Sequence, residues 1–309
     1  MSVIRVENLS KSYGKVKALR QVGFEVAEGE IFGVVGPDGA GKSTLFNILT
    51  TLLLPDSGNA YVFDKDIRKD YLEIRKHIGY LPGTFSLYPD LTVEENLIFF
   101  ATMYQSSIRD NMVLIKPIWK QLLPFKKRFA GKLSGGMKQK LALCCALIHK
   151  PSLLFLDEPT TGVDPVSRKE FWEILRSIKN QGITVVVSTP YMDEATLCDR
   201  IALLQEGAFI KMDSPANIIK GFQGNLVTLQ TEDIFSLLNL MQHCGLNCTF
   251  YPYGEHLHVI FYDSLETALP KFEVFLQENN VTYQDIRQID PNIEDCFISI
   301  VEKGGDASR

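Results

Sequence analysis

The sequence lacks long hydrophobic runs. No apolar stretch approaches the roughly 18 residues that a membrane-spanning helix needs. Residues 1–5 also lack a basic segment followed by an apolar one, so we expect no signal peptide. Any membrane role is therefore expected to depend on a partner protein.

The sequence also lacks a basic excess, because 32 Lys and Arg face 37 Asp and Glu and give a net charge of −5. This balance argues against bulk binding to nucleic acid, although it leaves a local basic patch possible. The six cysteines form no C-x-x-C pair, so we expect reduced, buried thiols in a cytosolic protein. The 309 residues, 45% of them hydrophobic, suit one large and one smaller folded domain.

The first part of the chain alternates strand and helix patterns. Residues 3–7 and 22–28 alternate apolar and polar side chains, which predicts an antiparallel pair. Short apolar runs predict buried strands at 31–35, 153–156, 183–188 and 201–204. Helical patterns occupy 43–54, 92–129, 136–150 and 166–180. This alternation predicts an α/β domain with a mainly parallel sheet, over residues 1–221.

From about residue 222 the pattern changes. It predicts strands at 226–230, 248–252, 256–262 and 283–289 and helices at 232–244 and 264–279. This β-α-β-β-α-β order predicts a small ferredoxin-like domain over residues 222–302, the alternative being an irregular extension of the main domain. The last helix is predicted at 292–302, and the polar tail 303–309 is expected to be disordered.

A glycine-rich motif follows the strand at 31–35. Gly36 to Ser43 fits G-x-x-x-x-G-K-[ST], the phosphate-binding loop, in its proper context between a strand and a helix. Its backbone N–H groups are expected to cradle the phosphates of ATP or GTP, with Lys42 on the β- and γ-phosphates and Ser43 on Mg²⁺. The Asp38 side chain is expected to point away. The predicted binding residues are Gly36, Asp38, Gly39, Ala40, Gly41, Lys42, Ser43 and Thr44.

Two further motifs carry chemistry. Asp157 and Glu158 end an apolar strand, where open α/β sheets place reactive groups. We expect Asp157 to hold Mg²⁺ and Glu158 to polarise the attacking water; with Lys42, Glu158 forms the predicted catalytic pair. Ser134, Gly135 and Gly136 open a helix, and its serine hydroxyl and glycine amides predict a second anion site.

The chain carries the phosphate loop, Leu-Ser-Gly-Gly and the strand-end Asp-Glu in that order. In this arrangement it resembles ABC ATPases over about residues 3–220. The amino-acid sequence, including residues 291–298, is similar to that of export ATPases of the ABC-2 and daunorubicin-resistance type. Some of these ATPases have a small C-terminal regulatory region. The resemblance implies an antiparallel β subdomain, a helical subdomain at about 84–135, and Tyr13 on the adenine. It also implies two subunits paired head to tail, with Ser134 to Gly136 of one chain on the nucleotide of the other. Residues 162–164 would then face the other subunit.

Two positions depart from that family pattern. Gly83 stands where the family has a glutamine that senses Mg²⁺ and the attacking water, and Pro190 stands where it has a histidine on the γ-phosphate. Proline offers no donor to replace imidazole. Both losses fall on this chain's own nucleotide, whereas Ser134 to Gly136 would serve the partner's. The pattern therefore favours a heterodimer with a related ATPase and a weakly hydrolysing site here; a homodimer in which Thr189, Tyr191 or a water substitutes is the alternative.

The expected function is the ATP-binding subunit of an ABC exporter, located in the cytoplasm on the inner face of the membrane with a permease partner. A soluble ABC ATPase acting on ribosomes or DNA, a small-molecule kinase, and an ATP-dependent clamp without hydrolysis are the alternatives. Long coiled coils and basic linkers, typical of the repair and translation members, are absent from the sequence, so we expect no nucleic-acid partner.

Overall fold

The computed structural model describes residues 2–84, 86–231 and 233–306, and the chain divides into two compact units, Met1–Pro215 and Ala216–Arg309. Its strands and helices, with 3-10 turns omitted, are as follows for the first unit: β1 Ser2–Tyr13, β2 Val16–Ala27, β3 Ile31–Val35, α1 Lys42–Leu49, β4 Ser57–Val62, β5 Lys65–Asp66, α2 Tyr71–His77, β6 Ile78–Leu81, α3 Val93–Met103, α4 Ile108–Leu122, α5 Gly135–Leu147, β7 Leu153–Asp157, α6 Pro165–Lys179, β8 Thr184–Thr189, β9 Arg200–Gln205 and β10 Ala208–Asp213.

Two sheets build the first unit. The antiparallel sheet has the order β2-β1-β4-β5, and the larger sheet has the order β10-β9-β3-β8-β7-β6, parallel except for β10. The strands β3, β7 and β8 are buried throughout, as their continuous apolar runs require in the middle of a parallel sheet. A core that includes Phe32, Phe46 and Phe155 joins α1 to both sheets. The mixed α/β class predicted from the sequence is confirmed.

The phosphate-loop helix is shorter than the sequence pattern predicts. It ends at Leu49 instead of residue 54, because Thr50 folds its hydroxyl back to Phe46 O (2.8 Å) and Thr51 adopts a left-handed backbone with φ of 64°. The residues that follow form a turn before β4.

The second unit contains α7 Pro215–Lys220 at its start, then β11 Asn225–Thr231, α8 Ile234–Met241, β12 Cys248–Tyr253, β13 His256–Phe261, α9 Leu265–Glu278, β14 Tyr283–Gln288 and α10 Ile293–Asp306. Its antiparallel sheet has the order β12-β13-β11-β14, which is the ferredoxin-like arrangement. The unit begins before the predicted limit at 221, because Ile218 of α7 is buried and its carbonyl accepts a hydrogen bond from Cys296 Sγ of α10.

The last helix is longer than predicted, since α10 continues to Asp306 instead of ending at 302. The rest of the predicted tail, residues 307–309, lies outside the described residues.

A buried polar cluster fastens α10 to its sheet. Asp295 is fully buried and accepts hydrogen bonds from the Tyr251 hydroxyl, from His258 Nδ1 (2.8 Å) and from the Asn292 backbone N–H (2.7 Å). Burial by itself raises the pKa of Asp295, but these hydrogen bonds outweigh it and hold the pKa below its ordinary value. The ring of Tyr253 stacks on His258 at 4.3 Å between centroids.

Candidate active site

The glycine-rich loop lies between β3 and α1 in a conformation that favours glycine at two points. Gly39 and Gly41 have φ of 79° and 109°, in the left-handed region. A Cβ at Gly41 would also lie 2.3 Å from Ala18 O, and one at Gly36 would lie 2.2 Å from Leu204 O. The backbone therefore packs tightly on its inner side, and the loop leads directly into the N-terminus of α1.

Lys42 is the buried cation of this loop. Its side chain is only 3% exposed, and Nζ donates to Gly36 O (2.8 Å) and Pro37 O (3.0 Å). Nζ also lies 3.1 Å from Glu158 Oε1, so the loop and the end of β7 meet at this ammonium group. The Asp38 side chain, by contrast, is 91% exposed, with its carboxylate 4.0 Å from Lys42 Nζ.

The end of β7 is held by the neighbouring strand β8. Ser188 Oγ donates to Asp157 Oδ1 and accepts from the Glu158 N–H (2.9 Å). Burial raises the pKa of Asp157, opposed by the hydrogen bonds from Ser188 and Ser43 and by the charge of Lys42. Glu158 has a left-handed backbone with φ of 49°, an uncommon conformation that turns its carboxylate toward Lys42.

Lys42 and Glu158 border one cleft of about 750 Å³, whereas the predicted residues Gly36, Asp38, Ala40 and Asp157 do not line it. The predicted residues that line it are Tyr13, Gly39, Gly41, Lys42, Ser43, Thr44 and Glu158. Lys15, Lys17, Arg20 and Glu206 line it as well, and the sequence analysis missed them. Their contribution depends on long-range contacts that bring the β1–β2 hairpin and the β9–β10 turn to the loop, such as Gly207 N–H to Ala40 O (3.0 Å).

The serine of the second anion motif lies elsewhere. Ser134 caps α5, with Oγ accepting from Met137 N–H (3.4 Å), and neither it nor Gly135 or Gly136 lines the cleft. Ser134 and Gly135 are exposed, while a Cβ at Gly135 would lie 3.3 Å from Gly162 O. The two segments expected to face another subunit, 134–136 and 162–164, are therefore adjacent.

Comparison with known proteins identifies the family. Residues 19–161 match the family model "ABC transporter". The chain is 34% identical over 306 residues to the Nod factor export ATP-binding protein I of Bradyrhizobium diazoefficiens, covering 96% of this chain and 95% of that protein. The chain belongs to the ATP-binding proteins of ABC transporters. As an ABC-type ATPase chain it shares the ATP-binding domain of that family.

Two further relatives of this ABC protein also carry export or resistance names. It is 35% identical over 234 residues to the linearmycin resistance ATP-binding protein LnrL of Bacillus subtilis, covering 73% of each chain. It is 43% identical over 219 residues to the probable multidrug ABC transporter ATP-binding protein YbhF of Escherichia coli, covering 70% of this chain. The chain spans only 38% of the length of YbhF.

Solved structures show the same ABC fold. A structure titled as the ATP-binding subunit of an ABC transporter superposes with a TM-score of 0.64 at 28% identity, covering 71% of this chain and 92% of that one. The cassette MJ0796, in a dimeric post-hydrolysis state bound to ADP and Pi, superposes with a TM-score of 0.62 at 27% identity, covering 68% and 98%. Among the described residues, none of the helices is long and apolar enough to cross a membrane.

The oxygen donors at the cleft fit a magnesium ion. The Ser43 hydroxyl lies near enough to lower the pKa of the Asp157 carboxyl, so a hydroxyl and a carboxylate stand near each other beside Lys42. Mg²⁺ prefers such oxygen ligands and commonly takes one or two carboxylates together with substrate phosphates and water.

The two departures from the ABC pattern lie at this same point or next to it. A Cβ at Gly83 would lie 3.3 Å from Asp157 O and 3.7 Å from Asp157 Oδ2, so a side chain at position 83 begins against the carboxylate. Pro190 directly follows Thr189, the last residue of β8. Thr189 is fully buried, and its hydroxyl donates to Glu194, away from any substrate.

Proposed function

We propose that this chain is the ATP-binding subunit that powers an ABC-type membrane exporter through ATP-driven dimerisation and hydrolysis. The observation that carries the proposal is that Lys42, Ser43 and Glu158 line one cleft, with the buried Asp157 next to Glu158 in the chain and the serine motif of the family outside the cleft. The export and resistance names of the relatives support export as the direction of transport. The cargo is then chosen by the permease.

Within this proposal, each group of the cleft has a task. The loop amides and Lys42 bind the phosphates of ATP, and the Tyr13 ring, half exposed at the border of the cleft, stacks on adenine. Ser43 and Asp157 hold Mg²⁺, which neutralises phosphate charge. Glu158 accepts a hydrogen bond from the attacking water once ATP has drawn Lys42 away from it.

A second cassette completes the nucleotide site. Because Ser134, Gly135 and Gly136 do not line this chain's cleft, they serve the nucleotide of a partner, and a partner's equivalent serves this one. We favour a related but different ATPase as that partner over a second copy of this chain. The reason is that Gly83 and Pro190 weaken one site only. A partner whose own site is intact would then still hydrolyse ATP.

This chain's own site is proposed to hydrolyse ATP slowly. Removing one preorganised donor from an active site costs about 2.7–4 kcal/mol, or 10²–10³ in rate. Thr189 is an unsuitable substitute for the missing histidine, because its hydroxyl is buried and bonded to Glu194. Slow turnover at one site is compatible with ATP-driven closure, which needs binding alone.

The permease is proposed to dock on the helical region around α3, near residues 85–129, of which Phe85 lies outside the described residues. Large apolar side chains are exposed there, with Met103 at 53%, Ile98 at 48% and Phe99 at 38%. Such a patch marks a protein contact. The chain would then work in the cytoplasm, at the inner face of the membrane, and residues 222–302 would form a regulatory domain.

Co-purification from native membranes tests this function. An affinity-tagged chain is expected to retain a multi-span membrane protein and a second ABC ATPase, with ATP hydrolysis by the assembly. Met103→Glu is expected to release the permease, whereas Val274→Glu on α9, at a position of nearly equal exposure (51%), is the control. Retention of ribosomal RNA or DNA in place of a membrane protein would contradict the proposal, and an assembly that binds but never hydrolyses ATP would reduce it to a clamp.

A further inference from the structure

One edge of the small sheet is open. β14 pairs with β11 on one side, and no described strand lies on its other side. Gln284, Asp285, Arg287 and Gln288 are exposed, and Ile286 is partly buried. An exposed edge strand presents unpaired N–H and C=O groups to any strand that matches it.

The pairing with β11 determines which backbone groups point outward. The Ile289 N–H donates to Leu226 O of β11 (3.1 Å). Inward and outward groups alternate along an antiparallel strand, so Arg287 and Asp285 also turn their backbone groups toward β11. The N–H and C=O of Ile286, between them, point away from the sheet.

A second copy of β14 fits this edge in one register. With Ile286 opposite Ile286, the two strands exchange a pair of N–H···O bonds, and Asp285 of each copy lies opposite Arg287 of the other. These flanking positions are the closely spaced, non-hydrogen-bonded ones, where side-chain pairs interact most. Moving the two-fold axis by one residue would place Asp285 opposite Asp285, or Arg287 opposite Arg287, and like charges destabilise the pair. Charge therefore selects the register centred on Ile286.

The two charges are available for this exchange. Within one chain Arg287 Nε lies 3.3 Å from Asp285 Oδ2, and both side chains are at least half exposed. We propose that β14 joins two copies of this chain edge to edge, into a continuous sheet across the two small units. This contact goes beyond the exporter function and is separate from the ATP-dependent pairing of cassettes. The alternative is that these charges prevent the edge strand from pairing with a second chain.

Sedimentation velocity of the full-length chain tests the contact, in a chelating buffer without nucleotide so that cassette pairing does not contribute. The unchanged chain is expected to dimerise at micromolar concentrations. Asp285→Arg and Arg287→Asp are each expected to weaken the dimer by about tenfold, because two opposite-charge pairs become like-charge pairs. The double variant, Asp285→Arg with Arg287→Asp, is expected to restore it.

Glu278→Arg is the matched control for Asp285→Arg. It makes the same charge change at an exposed position of α9 and should leave the dimer intact. Circular dichroism of every variant checks that the fold is retained. A chain that stays monomeric at all concentrations overturns the proposal, and so does a dimer that is insensitive to both single reversals or is not restored by the double variant.

Discussion

Restoring the two missing side chains should accelerate hydrolysis at this chain's own site. The combined change is Gly83→Gln with Pro190→His. Position 83 tolerates a side chain, because Gly83 lies outside the left-handed region and the tightest contact of a new Cβ, 3.3 Å to Asp157 O, needs a shift of only a few tenths of an ångström. Starting 3.7 Å from Asp157 Oδ2, a glutamine amide then extends into the space beside the carboxylate and the phosphates.

The expected gain follows from what one preorganised donor is worth. A fully aligned group contributes about 10²–10³ in rate, or 2.7–4 kcal/mol. Because the surrounding residues have not adapted to the new side chains, we expect the double variant to gain about tenfold in kcat, with little change in KM. Phosphate release at saturating Mg-ATP measures this in the complex with the partner cassette, whose own site is inactivated at its catalytic glutamate, and Lys42→Ala supplies the background.

Gly83→Leu with Pro190→Leu is the matched control, since it adds bulk without any donor and should not gain. Nucleotide binding, followed with a fluorescent ATP analogue, must be similar in all variants. The reasoning is refuted if the unchanged chain already turns over at the rate of ABC ATPases with intact motifs. It is equally refuted if the double variant binds nucleotide and gains no more than the leucine control.

Three further substitutions test how the structure supports its sites. Ser188→Ala should lower the unfolding midpoint in a thermal melt, because it removes the hydroxyl that donates to the buried Asp157 carboxylate, at about 1–3 kcal/mol, while the Glu158 N–H keeps its bond to Ser188 O; an unchanged midpoint contradicts this. Gly41→Ala should abolish the ATP binding that calorimetry measures and leave the rest of the fold intact. The new Cβ would lie 2.3 Å from Ala18 O, on a backbone whose φ is 109°. Asp295 has a lowered folded-state pKa, so its stabilisation is present above the unfolded pKa near 3.9 and is lost as the pH falls through the folded value. Asp295→Asn should therefore destabilise the protein at neutral pH and flatten the acid side of its melting profile, and a parallel downward shift at every pH would count against this.

Local pattern was sufficient for the parts of the fold whose signal is contained in a few consecutive residues. The buried strands β3, β7 and β8 follow from unbroken apolar runs, and the loop before α1 follows from its glycines and Lys42. The β-α-β-β-α-β order of the second unit also follows from pattern, since each of its elements has a clear period or boundary.

Other features depend on contacts between distant residues and have no local signal. Lys15, Lys17 and Arg20 enter the cleft because the β1–β2 hairpin is bonded to the β9–β10 turn, from Arg20 N–H to Gly207 O (2.7 Å), and that turn is bonded to the loop, from Gly207 N–H to Ala40 O (3.0 Å). The left-handed backbone of Glu158 is set by the bonds of its N–H to Ser188, a residue of another strand. The early start of the second unit likewise depends on a bond between helices at opposite ends of that unit.

The segment around Pro190 is held in place by its neighbours. This limits how the protein can compensate for the missing family histidine. Arg168 of α6 lies over the Tyr191 ring (4.2 Å to the centroid) and within 3.7 Å of Glu194 Oε1, while Thr189 donates to the other oxygen of that glutamate. The Thr189 hydroxyl and the Tyr191 ring, the two candidate replacements for the histidine, are therefore both engaged in structural contacts. A gain of hydrolysis then has to come from positions 83 and 190 themselves, or from the other cassette. This constraint supports the proposal of slow turnover at this chain's own site, with Ser134 serving the nucleotide of a partner.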